Sequence, residues 1–158
     1  MADESVVRQA GGGRAFWMLG GLYEVKASSD ETGGAMTVME MTLPGGMGPP
    51  PHTHPGSESV YVIEGNLRYH IDGQEFEGSP GSFFHIPAGV VENFEPITQC
   101  RLLVTYAPPG TIEEFFAEAG EPAERHELPP PPTEPPDIER LIAAGQKHGM
   151  EIRPPAAA

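Results

Sequence analysis

His52 and His54 stand two residues apart, and Glu58 follows them, in the run Gly46-Met-Gly-Pro-Pro-Pro-His-Thr-His-Pro-Gly-Ser-Glu-Ser-Val-Tyr-Val-Ile-Glu-Gly65. In extended backbone, residues at i and i+2 leave the same face, so the two imidazoles can converge on one point. Imidazole nitrogen and carboxylate oxygen together make a ligand set of mixed hardness that suits one divalent transition metal: Fe, Ni, Mn, Co, Zn or Cu. Two His and one carboxylate leave coordination positions open for substrate, dioxygen or water. The chemistry these residues could do is that of an open metal site.

Such a cluster needs rigid strands to hold it. Short β-rich segments run from Ala15 to Leu19, Leu22 to Lys26, Met36 to Leu43, Ser59 to Ile63, Asn66 to Ile71, Ser82 to Ile86 and Arg101 to Tyr106. Asp72-Gly73, between Asn66–Ile71 and a short Gln74–Glu77 segment, predicts a tight hairpin, and Glu64-Gly65 another turn. Many short strands at close turn spacing predict an all-β sandwich or barrel. Glu58, Val60 and Val62 share one strand face, so the candidate ligand points into the same space as apolar wall residues. That describes a barrel with a lined cavity.

At 158 residues with 38% hydrophobic side chains, the chain has room for one domain and one core. A formal charge of −14 argues against nucleic acid or anionic membrane as partner. The N-terminus lacks a basic region followed by an apolar stretch, and no apolar run is long enough to span a bilayer, which predicts a cytoplasmic protein. Cys100 is the single cysteine, so no intrachain disulfide forms.

Composition divides the chain into three parts. Residues 1–13, ending in three glycines, read as a flexible arm; residues 14–120 read as the barrel with a short helix at its end; residues 121–158 read as a Pro-rich linker and a C-terminal helix packing on the barrel. The first helix spans Thr111 to Gly120, with Thr111 and Glu114 in capping-box positions. Leu128 to Pro136 is a stiff extended connector. Asp137 caps a second helix through about Lys147, whose apolar face is Ile138, Leu141 and Ile142 and whose stop is Gly149.

The spacing of Gly46, His52, His54, Glu58 and Gly65 fills every position of the first cupin motif. Gly81, Pro87 and Gly89 fill the second, except that its terminal histidine is Glu92 here. Together with Arg14-Ala-Phe-Trp17, Pro49-Pro-Pro-His52, Phe115-Phe116 and the Pro-rich linker, these motifs resemble the bacterial single-domain cupins called quercetin 2,3-dioxygenase-like. The resemblance implies a cupin-type β-barrel, a double-stranded β-helix of jelly-roll kind, with short C-terminal helices. It also implies a divalent metal on the motif residues, with Glu as base as well as ligand. Carried over by position, His52, His54 and Glu58 match, and Glu92 departs.

Glu92 is read in three ways: a fourth ligand, an unligated acid or base in the cavity, or a loop residue outside the site. As a ligand it would make a divalent site formally neutral, lowering Lewis acidity and favouring harder ions over Cu. The candidate ligands are therefore His52, His54, Glu58 and Glu92, and the candidate catalytic groups Glu58 and Glu92. His85 reads as a structural histidine, and His70 as part of a solvated sheet face with Arg68 and Asn66. His126 and His148, in the tail, carry no signal. Met36, Met39, Met41 and Met47 read as core filling.

Two classes of function follow. One is a metal-dependent enzyme acting on a small phenolic, flavonoid or polyketide-like molecule, dioxygenase-type by resemblance, or a cyclase or isomerase that consumes no oxygen. The other is a non-catalytic small-molecule-binding cupin. Exposed barrel edges predict a homodimer.

Overall fold

The protein was analysed as a computed structural model, which describes residues 4–154. In chain order its elements are β1 (Ala15–Met18), β2 (Gly21–Ala27), β3 (Thr37–Leu43), β4 (Ser57–Glu64), β5 (Leu67–Ile71), β6 (Gln74–Gly78), β7 (Phe83–Ile86), β8 (Glu92–Pro96), β9 (Cys100–Ala107), α1 (Ile112–Ala119), β10 (Glu121–Pro122) and α2 (Ile138–Lys147). All strand pairs are antiparallel. One sheet runs β10-β1-β2-β3-β9-β4-β7 and the other β6-β5-β8.

Alternation decides which face each central strand buries. β4 buries Glu58, Val60 and Val62 and exposes Tyr61, as the two-residue period predicts. β3 turns Met39 and Met41 inward, and β9 turns in Leu102, Val104 and Tyr106. Leu67 and Tyr69 of β5 and Phe94 of β8 come from the smaller sheet to meet them in one core. The barrel predicted from the alternation is the architecture observed.

The Asp72-Gly73 hairpin forms as predicted between β5 and β6, with φ of 50° and 78° at its two central residues. Gly65 has φ of 87°, and a Cβ there would collide with the Gln99 carbonyl and with Cys100. The motif glycine is thus needed both for the turn and for the close pass of the strand entering β9. Cys100 is buried and free.

Three readings need correction. β8 was not expected, because Glu-Asn-Phe-Glu-Pro is poor in β-forming residues and Phe94 is its one strong apolar side chain. It forms because β5 supplies a partner for each residue from Glu92 to Pro96. The predicted capping box at α1 is absent: the Thr111 side chain makes no cap bond, and its Oγ1 lies 2.7 Å from His148 Nδ1 instead. The two tail histidines are engaged, His126 with Nδ1 2.7 Å from the buried Glu24 carboxylate and His148 with Thr111. Both contacts join residues far apart in sequence, so no local pattern announces them.

The C-terminal part covers one mouth of the barrel. Ala123 and Leu128 pack on Ala15, Trp17 and Leu22, and the Trp17 indole donates to the Glu127 carbonyl at 2.8 Å. Asp137 caps α2 by accepting from the Arg140 N–H, and Arg140 donates to the carbonyls of Glu118 and Gly120 at the end of α1. Leu141, Met150 and Ile152 then bury themselves against the core. At the other terminus, Arg8 of the glycine-rich arm donates to the Lys26 carbonyl and pairs with Glu31. No helix of the described residues is long and apolar enough to cross a membrane.

Candidate metal centre

The motif side chains come from one loop and two strands: His52 and His54 from the Pro-rich entry loop, Glu58 from β4 and Glu92 from β8. Glu58 sits on β4 between Ile86 of β7 and Tyr106 of β9 in register, so both neighbours fix its backbone. His52 and Glu92 exchange backbone hydrogen bonds at 2.9 Å in both directions, which ties the Pro-rich entry loop to the start of β8. The Thr53 N–H donates to the Glu151 carbonyl and the Arg153 N–H to that of Pro51, so the segment after α2 clamps the same loop. His54 is anchored through its carbonyl, which accepts from the Gly89 N–H in the second motif.

These elements bring His52, His54, Glu58 and Glu92 together, with one donor atom from each lying within 4.8 Å of all the others. All four are buried; Glu92 is only 1% exposed, which removes the reading that places it on a loop outside the site. His54 Nε2 lies 2.8 Å from Glu58 Oε2, and His52 Nε2 lies 3.9 Å from Glu92 Oε1.

Among the described residues, five buried side-chain polar atoms lack a hydrogen-bond partner, and four of them belong to this cluster: both His54 nitrogens, Glu58 Oε2 and Glu92 Oε2. The close His54–Glu58 approach is off the alignment a hydrogen bond needs. His54 Nε2, Glu58 Oε2 and Glu92 Oε2 gather here without hydrogen-bonding one another, as ligands of one cation do, and the set of two imidazoles and two carboxylates fits a divalent transition ion.

Outer contacts orient these donors. The His52 ring places Nδ1 3.0 Å from the Pro50 carbonyl, which demands a proton on that nitrogen and leaves Nε2 with its lone pair toward the cluster. The Tyr69 hydroxyl donates to Glu92 Oε1 at 2.7 Å, leaving Oε2 free. Tyr69 was missed in the sequence, although the period of β5 turns it away from the solvated face of Arg68 and His70, toward the core. His85 lies on the exposed face of β7 with Nδ1 3.0 Å from Ser59 Oγ, outside the cluster as expected.

Burial sets the charges. It pushes the His52 imidazolium down to about 4, helped by neighbouring His54 and opposed by Glu92 and the Pro50 carbonyl. His54 is likewise pushed down to about 4 by burial against the pull of Glu92. Glu58 is pushed up to about 8 by burial, which the neighbouring Glu92 carboxyl offsets only in part. Glu92 rises to about 7, first through burial and then through Glu58, while His52, His54 and Tyr69 hold it back. At neutral pH both imidazoles therefore keep free lone pairs, and the carboxylates release their protons when a cation arrives.

The cluster opens into a cavity of ≈ 50 Å³, room for an ion and roughly three or four waters or for the head of a small ligand. Its remaining wall is apolar and aromatic, with Met18, Met41, Phe94, Phe115, Phe116 and Met150 prominent. Tyr23 and Tyr106 add the only hydroxyl-bearing side chains of that wall, and Tyr106 lies against the His54 ring with centroids 5.1 Å apart. Burial pushes both phenols well up, so they stay protonated and can donate.

A cupin-domain family model matches residues 39–106, which span β3 to β9 and hold all four clustered residues. Residues 39–106 are a cupin domain. The chain is 32% identical over 109 residues to the quercetin 2,3-dioxygenase of Bacillus subtilis strain 168, a match covering 68% of this chain and 32% of that protein's length. Among solved structures, an RmlC-like cupin from Shewanella frigidimarina superposes with TM-score 0.62 at 18% identity, covering 72% of this chain and 99% of that one. KdgF from Halomonas sp. gives 0.60 at 16% identity, covering 70% and 98%. These two establish the cupin fold. The departure at Glu92 stands inside the matched domain.

Proposed function

We propose that this cupin is a metal-dependent enzyme that oxygenates a small phenolic or enolic molecule, as a dioxygenase. The observation that carries the reading is the buried quartet of His52, His54, Glu58 and Glu92, whose donor atoms gather within 4.8 Å of one another beside an otherwise apolar cavity. The similarity to a named quercetin 2,3-dioxygenase supports the reaction class. A divalent ion held by the four residues would supply Lewis acidity and a position for the substrate oxygen.

The protein's own groups do the remaining work. Glu58 on the cavity wall, or Glu92 beside it in the cluster, both raised toward neutrality, accepts the proton of the substrate hydroxyl. Tyr106 donates to the substrate oxygen from beside His54, and the Phe94, Phe115 and Phe116 wall takes the ring. A second reading is favoured by the second carboxylate itself. With two acid–base groups of similar affinity in one cluster, proton abstraction and return would give cyclisation or isomerisation without oxygen.

The test is a set of oxygen-electrode and deuterium-exchange assays on protein loaded in turn with Fe, Ni, Co, Mn or Cu, across flavonols, catechols and polyketide phenols. Oxygen uptake that requires metal supports the dioxygenase. Metal-dependent substrate deuteration without uptake moves the assignment to isomerase or cyclase. Neither signal from any loaded form would remove the enzymatic reading.

A further inference from the structure

The fifth buried polar atom without a hydrogen-bond partner is His148 Nε2, just beyond the C-terminus of α2. It lies 3.0 Å from Glu118 Oε2 but out of line for a hydrogen bond. The ring's other nitrogen is 2.7 Å from Thr111 Oγ1. Thr111 is the N-cap residue of α1, yet its hydroxyl makes no cap bond and is turned to His148 instead. A helix start that gives up its capping bond has spent that hydroxyl on something else.

His54, Thr111 and His148 wall the same small space of ≈ 10 Å³, which shares His54, Tyr106 and Met150 with the main cavity, room for about one water. His54 turns Nε2 to Glu58 and the cluster, so Nδ1 points away from it, and Nδ1 is buried with no partner. Histidine ligands hold their orientation by donating the second ring N–H, as His52 does to the Pro50 carbonyl. Among the described residues, none performs that service for His54 directly.

We infer that Thr111 and His148 are positioning residues for His54: one water in the shared space accepts the His54 Nδ1–H and donates to the Thr111 hydroxyl, which donates in turn to His148 Nδ1. The arm carries each proton in one direction, from ligand ring to water to hydroxyl to imidazole, and ends beside Glu118 at the surface. It fixes the His54 tautomer with Nε2 bare, and it couples the seating of α1 and α2 to the strength of one ligand. The inference rests on the metal-binding reading of the quartet.

Thr111→Val removes the hydroxyl while keeping shape, and since that hydroxyl caps nothing the helix has no bond to lose. Co(II) serves as the probe, titrated into the full chain and followed by its visible d–d bands. Thr111→Val should weaken Co(II) binding by about 10-fold, with Thr111→Ser within about 3-fold of wild type, since outer partners of histidine ligands typically carry about 10–100-fold in affinity. In the Co(II) form, the hyperfine-shifted His54 Nδ1–H resonance should exchange with solvent faster in Thr111→Val than in wild type. Wild-type affinity and exchange in Thr111→Val, or an equal loss in Thr111→Ser, would overturn the inference. A His54→Ala control separates the two levels: if it binds Co(II) as well as wild type, the reading of the site falls together with the inference.

Discussion

Stripping metal from this protein should make it less stable at pH 8 than at pH 6.5, against the common pattern of a broad plateau across neutrality. The cause is the two buried carboxylates. An unfolded glutamate releases its proton near 4.5, whereas folded Glu92 holds it to about 7 and folded Glu58 to about 8. Over that interval the native state binds protons that the unfolded chain has lost, so stability falls as pH rises. The imidazoles act in the opposite direction: unfolded His protonates near 6.5, folded His52 and His54 only near 4, so they cost stability as pH falls through that window. Between 4.5 and 6.5 two losses and two gains offset each other. Above 6.5 the carboxylates act alone, both of them to 7 and Glu58 on to 8.

At about 1.4 kcal/mol per unit of mismatch, the decline from pH 6.5 to 8 comes to about 3 kcal/mol. For a chain of this size that is a fall of roughly 6–12 °C in melting temperature. Urea unfolding of chelator-treated protein at the two pH values measures it. Glu58→Gln removes the larger contributor and the charge that raises Glu92, and should shrink the difference to about 1 kcal/mol or less. Restoring metal should reverse the trend, since an ion binds the native state alone and displaces those protons. Equal midpoints at both pH values in the metal-free wild type, or an undiminished decline in Glu58→Gln, would refute the reasoning.

Replacing His52 or His54 with Ala should remove stoichiometric metal, as elemental analysis of protein dialysed against trace metal would show. Tyr69→Phe should leave the fold intact and weaken metal binding by about 10-fold, read by competition with a chromophoric chelator, because Glu92 loses the donor that orients it. Glu92→His should keep the far-UV circular dichroism and shift preference toward Cu or Zn in competitive loading, since it exchanges a hard anion for a neutral nitrogen.

How much of this was legible in the sequence depends on the distance over which each feature is decided. The inward turn of Glu58, Val60 and Val62 follows from a two-residue period and could be read directly. So could the Asp72-Gly73 hairpin, because positive φ at both positions selects those residue types. β8 could not, since its existence depends on β5 lying alongside rather than on Glu-Asn-Phe-Glu-Pro itself. The cavity wall from Phe115, Phe116, Leu141 and Met150 was also out of reach. Helical amphipathicity announces that a face will be buried, but not that it will cover the mouth of a barrel.

The departures from local rule share an address. Glu92 breaks the second motif, and Thr111 breaks the capping box that its sequence offers α1; the structure puts the first in the ligand quartet and the second on a small space that His54 also lines. Each deviation is set into a framework that would tolerate the ordinary residue. The backbone hydrogen bonds between His52 and Glu92 need only the main chain at 92, which any residue but proline would supply. The backbone therefore does not explain a carboxylate at that position, and the Tyr69 hydroxyl aimed at it does: it supplies a hydrogen bond that a carboxylate oxygen accepts and frees the other oxygen for the shared point. Tyr69 and Glu92 are thus best understood as one unit, in which the strand β5 residue adapts the site to an anionic fourth donor. Where local preference yields without gain in packing, the compensation is to be sought in the chemistry of the centre.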